Sequence, residues 1–430
     1  MSNKNINIPL LNRPLVILGL LCIMYCFSFF HRACIAVLSV DIMNDFAMTT
    51  ANIGLIGSAT MLGYALSQVP TGIFTDRFGA RKTLFVYQIL AGISAICFAY
   101  STDWKFAVAS RFVLGLTIAV NVPALKHLAL WLPAAWYSKA SSILLTFATV
   151  GTFLASTPLA FASSVWGWKF CLVAVGVATI ALALTALFGL KDRPENQILA
   201  SHEPERKISL SVIFSKIVRV RNFWLLFIWF LIMVGNLYVL FTMWWGTYLM
   251  QGVGLDKNET GLCLSIMAIC SAIAMPLFAV LSDNILHSRK KILVIGSVVA
   301  SLLLSGLCFG FTGHSVPALA FISACLNIAF VAPAPMVFTM AKESLPEEVI
   351  GTAFGILNFG APIYASIIQW IFGLVVNSGM ESGNTILESY SSAFIMILAF
   401  TMIGFVATFF MKDTFTSEEC YADLATEKSR

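Results

Sequence analysis

The sequence predicts an all-α membrane protein with twelve transmembrane helices in two six-helix, pseudo-symmetric halves. Apolar residues make up 59% of the 430-residue chain and charged residues only 11%, far from the averages of soluble domains. One soluble core cannot absorb that apolar content, whereas about a dozen bilayer spans can. The apolar runs fall into two sets of six around a single long polar stretch, and the basic turn after the second run has a weaker copy after the eighth. Backbone groups in lipid need internal partners, so each run is expected as a helix.

The first six runs cover about residues 14–38, 51–74, 83–101, 105–130, 140–163 and 169–190. The second six cover about 222–250, 259–282, 291–311, 316–341, 350–376 and 390–411. The short polar N-terminus (MSNKNINIPLLNRP) and the lack of a small-residue cleavage site after the first run predict a retained span. Of 26 Lys and Arg, 20 fall in the tails, the turns near 76–82 and 139, the stretch 191–221, residues 289–291 and 342, while only Lys105, Lys169 and Lys257 fall on the other side. That bias places both termini and the central stretch in the cytoplasm. The organisation is therefore an N-terminal half (1–190), a central loop (191–221), a C-terminal half (222–411) and a tail (412–430). The central loop ends in IFSKIVRVR, whose interleaved apolar and basic residues suit either the anionic membrane face or a plain tether.

The net charge of +5 does not point to nucleic acid, because the cations sit in short turns rather than along one polar face. Nine of the ten cysteines lie inside apolar runs without metal-ligand company, which reads as lipophilic core rather than a disulfide framework. No phosphate-cradling Gly-Lys-Ser/Thr loop, zinc-ligand spacing or nucleophile–base pair is present, so no enzyme activity, cofactor or ATP drive is expected.

The turn GIFTDRFGARK (72–82) places Asp76 and three cations between two apolar segments, with Gly72 and Gly79 beside them. Asp76 sits where it can meet a cation or a helix N-terminus, and glycine permits close backbones or a positive φ. Such a charged clasp suits a gate between two helices; the plainer reading is an ordinary positive-inside loop. The copy at 279–291 (AVLSDNILHSRKK) keeps an Asp and the later cations but lacks both glycines. Two six-helix halves with a repeated turn describe a transporter built from parallel repeats.

On these residues the chain resembles the major facilitator superfamily, whose turn after the second helix reads G-x-x-x-D-R-x-G-x-R-K and is matched by Gly72, Asp76, Arg77, Gly79, Arg81 and Lys82. The fourth-helix pattern, an Arg followed four residues later by Gly, is matched by Arg111 and Gly115, and Trp166-Gly-Trp168 and Asp192-Arg-Pro194-Glu195 also resemble the family. The fifth-helix pattern typical of antiporters is mostly missing, which favours import. The opening helix and GYALSQVPTGIFTDRFG are most similar to the anion:cation symporter and organophosphate branches, with His31 where an acidic residue commonly stands before the Arg. The resemblance implies alternating access, helices one, four, seven and ten around a cavity, and proton coupling. Amino-acid or peptide importers and drug or siderophore exporters of the same superfamily are the alternatives.

All 21 Asp and Glu fall in loops, tails or helix ends, so the ionisable groups within the spans are Arg32, Arg111 and Lys126, with His31 and His127. A charge inside the membrane is expensive and marks a candidate site. At 1.5 Å per residue Arg32 lies about 27 Å along the first helix and Arg111 about 30 Å from the cytoplasmic end of the fourth, a similar depth. With no carboxylate to pair with, these guanidinium forks suit a small anionic solute; the alternative is that they bond helix carbonyls. Lys126, about 8 Å from the cytoplasmic end, either joins that site or snorkels to the interface. His31 suits proton coupling or polar packing. From the second half, the cavity candidates are Asn236 and Tyr238 on the seventh span, Asn327 on the tenth, and Asn358, Tyr364 and Gln369 on the eleventh. Asn236 and Asn327 are favoured because the resemblance puts helices seven and ten at the cavity, and Trp244 and Trp245 are read as cavity or membrane-interface aromatics. The expected partners are the solute, protons and the lipid bilayer, with the chain acting as a monomer.

Overall fold

The computed structural model describes residues 14–132, 134–190, 215–309 and 315–415. The expected central loop from 191 to 214 and the tail from 416 lie outside these residues. Among the described residues there is no strand, and eleven spans are long and apolar enough to cross a membrane. A twelfth helix, Thr50–Phe78, is long enough at 29 residues but more polar, with Gln68, Asp76 and Arg77 within it. The chain is thus a multi-pass membrane protein of twelve helical spans in two sets of six.

Several spans are interrupted, for reasons visible in the chain. The first runs as Pro14–Ala33 and, after a break at Cys34, as Ile35–Asp45, seven residues past the expected end at 38. The extra turns are anchored by Asp41, which pairs with Lys257, and by Asp45, which accepts from Trp168 Nε1 at 2.9 Å and pairs with Lys169 at 3.1 Å. The fourth span is divided into Trp104–Thr117 and Asn121–Trp131, and the fifth into Ala134–Leu154 and Thr157–Trp166. In the seventh, a π-helical turn at Leu240–Trp244 joins Arg221–Val239 to Trp245–Gln251. The tenth breaks at Pro333, between Val316–Val331 and Ala334–Ser344, where Pro333 and Pro335 lack the N–H that a continuous helix needs.

The second span packs along the eleventh (Ile350–Glu381), and this seam, with the first span against the seventh and the fifth against the eighth, joins the halves. At the end of the bundle opposite the N-terminus the seam is closed. There Thr247 donates to Ser39 Oγ at 2.8 Å, Gln251 Nε2 approaches Met43 Sδ at 3.6 Å, Lys257 pairs with Asp41, and Thr50 donates to Asn377 at 3.4 Å. Gly246 lies so close to the Ala36 carbonyl that any β-carbon there would clash with it. Nearer the middle, Ser58 donates to the Ser366 carbonyl and Thr157 and Ser265 meet at 2.7 Å. Among the described residues, no ion pair joins the two six-helix halves on the N-terminal side of these contacts, where Arg32 of the first half meets Tyr238 of the second. The bundle is closed at its distal end.

A larger residue at Gly246 must part the halves there. The strain of overpacking, about 1–3 kcal/mol, corresponds to a shift of roughly 5- to 150-fold toward the distally open form. Gly246→Val is therefore expected to speed labelling of a Ser39→Cys reporter by a membrane-impermeant maleimide. Equal labelling rates with and without the valine would refute the closure.

Candidate functional site

Arg32 sits on the last turn of the first helical segment and is 5% exposed. Its guanidinium carbon lies 4.5 Å from the centroid of Phe29, one turn earlier on the same face, 4.0 Å from that of Tyr64 on the second span, and 5.7 Å from that of Tyr238 on the seventh. These rings bring both halves to one cation. Their π-faces attract it, but they accept little of its hydrogen bonding. Nε and Nη1 are buried without any hydrogen-bond partner. Tyr238 is held in turn by Gln369 on the eleventh span, whose Nε2 donates to the Tyr238 carbonyl at 3.2 Å and to Thr242 at 2.8 Å. The Gln369 Oε1 is also buried and unpartnered.

The neighbouring residues divide differently. His31, 1% exposed, contacts Thr179 Oγ1 on the sixth span through Nε2 at 3.0 Å, while its Nδ1 has no partner. Arg111 is at the expected depth, but its guanidinium is engaged at the break of the first span. Nη1 donates to the His31 carbonyl at 3.1 Å, Nη2 reaches Cys34 Sγ at 3.4 Å, and the group lies 4.2 Å over Phe98. Gly115, one turn on, lies against the Thr60 carbonyl of the second span.

Lys126 pairs with Asp76 and lies 3.5 Å from the Thr75 carbonyl, so the structure joins it to the basic turn rather than to Arg32. In that turn Gly79 adopts φ +86, ending one helix and starting the next in a conformation that L side chains rarely adopt. Arg81 Nη1 donates to the Leu190 carbonyl at 3.2 Å, Arg77 lies over Phe78, Lys82 is exposed, and Gly72 faces open space. The copy of this turn in the second half is held by Arg289, which pairs with Glu343 at the end of the tenth span. The first-half turn contributes the acid and the second-half turn the base, so the polarity is reversed. Asp413 adds a second lock there, accepting from Ser288 Oγ and from the Arg289 backbone N–H at 3.2 Å. Burial alone would raise its pKa, yet these bonds, with backbone bonds from Lys290 and Phe415, hold it below the usual carboxylate range.

Asn236 and Asn327 are spent inside the second half. Asn236 accepts from Tyr364 Oη at 2.8 Å and donates to Thr401 at 3.0 Å, tying the seventh, eleventh and twelfth spans, while Asn327 accepts from Ser271 on the eighth. Trp244 and Trp245 are fully buried, not interfacial, and donate to the Gln369 carbonyl at 3.0 Å and to Ser323 at 2.7 Å. Gln369 is among the polar candidates that the sequence offers on the eleventh span, whereas Phe29 carries no warning in composition. The spacing of Phe29 three residues before Arg32 was the available signal, since i and i+3 share a helix face.

The Major Facilitator Superfamily model matches residues 21–256 and 240–422, together nearly the whole chain. The chain belongs to the major facilitator superfamily. Among curated relatives in the superfamily it is 24% identical to a probable sulfoacetate transporter, SauU, of Cupriavidus necator, over 93% of this chain and 94% of that one. It is 22% identical to a probable galactarate/D-glucarate transporter, GarP, of Escherichia coli, over 92% and 94%. Its fold matches an inward-facing, unoccupied bacterial homologue of the human lysosomal transporter Spinster with TM-score 0.76 at 16% identity, over 92% and 96% of the two chains.

Two substitutions separate anchoring from binding at this level of the bundle. Arg111→Gln is expected to lose about 1.5–3 kcal/mol of stability, the typical contribution of hydrogen bonds to a charged group. It should lower the melting temperature yet leave solute affinity in the folded fraction unchanged. A variant that melts like the parent but no longer binds would place Arg111 in the site.

Proposed function

We propose that this protein is a secondary carrier that imports a small organic anion across the bacterial inner membrane by alternating access, coupled to protons. The observation that carries the reading is Arg32: a guanidinium 5% exposed, between the two halves, with two nitrogens lacking partners. Arginine stays protonated in proteins, so the charge persists and calls for an anion. The relatives support that solute class, since sulfoacetate, galactarate and D-glucarate are all anions.

The termini and the basic turn are assigned to the cytoplasm by the positive-inside bias, which makes the closed distal end the outer one. Rocking of one six-helix half against the other would then expose Arg32 to either side in turn. Residues 72–82 with Lys126 act as the gating element, the Asp76–Lys126 pair tying the turn to the fourth span. His31 is the proton-coupling residue in this reading. Its Nδ1 is buried without a partner while Nε2 meets Thr179 of the sixth span, so a proton there would act on the anion from beside the pocket and not as a second direct partner.

Purified protein in liposomes, given a panel of carboxylates, phosphates and lipophilic cations under an inward proton gradient, tests the class. Anion uptake is expected, and uptake of lipophilic cations alone would refute it. Arg32→Lys keeps the charge but loses the planar fork, and is expected to lower uptake at least about tenfold, equivalent to about 1.4 kcal/mol of binding. Unchanged uptake in that variant would remove Arg32 from the site. His31→Gln is expected to abolish stimulation by the proton gradient while retaining anion exchange.

A further inference from the structure

Charge bookkeeping inside the spans narrows the solute further. Among the described residues, the buried or half-buried cations more than one turn inside the helical spans are Arg32, Arg111 and Lys126. Lys126 is neutralised by Asp76, and Arg111 is fastened to the His31 carbonyl and Cys34 Sγ with its face over Phe98. Arg289, the corresponding cation of the second half, is paired with Glu343. His31 can add a charge on protonation, but it is 1% exposed and directed at Thr179 of the sixth span, whereas the ring contacts of Arg32 lie on the second and seventh. Arg111 also keeps a buried, unpartnered Nε and has no acid beside it, but both its Nη groups are tied to the first span and its face to Phe98, so Arg32 is the guanidinium whose ring contacts come from both halves. Around it stand Phe29, Tyr64 and Tyr238, which supply rings and no second positive charge.

From this we infer that the site selects organic anions carrying one negative charge, a monocarboxylate or a monosulfonate, over dianions. The inference rests on the reading of Arg32 as the anion-binding residue. A single charge on Arg32 makes a neutral pair, and a carboxylate or sulfonate has oxygens to meet Nε and Nη1, which lack partners. A second negative charge on the same solute would lie in a low-dielectric interior among the rings around Arg32, while Arg111 is turned to the first-span break and His31 to Thr179. Burying an unpaired charge is strongly unfavourable. The chain thereby parts from relatives whose named solutes, D-glucarate and sulfoacetate, carry two acid groups.

The test uses matched pairs that differ by one acid group: gluconate against glucarate, propionate against succinate, and ethanesulfonate against sulfoacetate. Thermal stabilisation of the purified full-length protein is titrated for each, with Arg32→Gln alongside, because a ligand that binds the folded state alone raises its melting point. In every pair that binds, the monoanion should half-saturate at a concentration at least about tenfold lower than the dianion, a difference of about 1.4 kcal/mol. The response should vanish in Arg32→Gln. Equal or tighter binding of the dianions, lost in Arg32→Gln, would overturn the single-charge inference and leave the Arg32 reading standing. Binding that is unchanged in Arg32→Gln, or stabilisation by none of the six probes, would overturn both.

Discussion

A positive charge that cannot be discharged, held inside the membrane without an acid beside it, is the constraint around which this bundle is organised. Arg32 is supported by aromatic faces on three spans, and those spans belong to both halves. Cation–π contacts offset part of the desolvation but leave hydrogen-bond donors idle. A fully satisfied arginine would make good scaffold and a poor receptor. Arg111, whose two Nη groups are bonded at the break in the first span while its Nε stays unpartnered, is the better satisfied of the two. Two arginines that look alike in the sequence thus differ in what surrounds each.

The fold was legible almost throughout, because lipid leaves the chain few choices. Apolar runs of sufficient length must be helices, and the turn at 72–82 identifies the architecture through the residues that its geometry requires. Gly79 is the clearest case, with its positive φ at the junction of two helices. The first span was read as ending near 38 because Asp41 and Asp45 look like loop residues; their partners Lys257 and Lys169 lie far away in sequence and carry the helix on. Span breaks at Cys34 and in the seventh span were likewise hidden, since neither a proline nor a glycine marks them.

The site was legible only in its charged member. Periodicity can place Arg32, Arg111 and Lys126 at depths, but it does not show which will find a partner. Lys126 lies 50 residues from Asp76 and meets it only after two helices have been laid side by side. Asn236 and Asn327 were attractive as polar groups on cavity helices, yet each is satisfied by hydroxyls on neighbouring spans. Buried polar groups usually have partners, so an unpartnered one is the more informative observation, and it becomes visible only in three dimensions.

The closure at the distal end has a consequence for how tightly a solute is held when approached from either face. Under the proposed alternating access, a molecule arriving from the sealed side meets only the fraction of carriers that have opened toward it, so its apparent dissociation constant is the intrinsic one divided by that fraction. The bonds of Ser39, Asp41, Asn377 and Gly246's close neighbour Ala36 therefore set an affinity asymmetry between the two faces, without any of those residues touching the solute. Strengthening that seal would then weaken capture from the sealed side even if the surroundings of Arg32 were left intact.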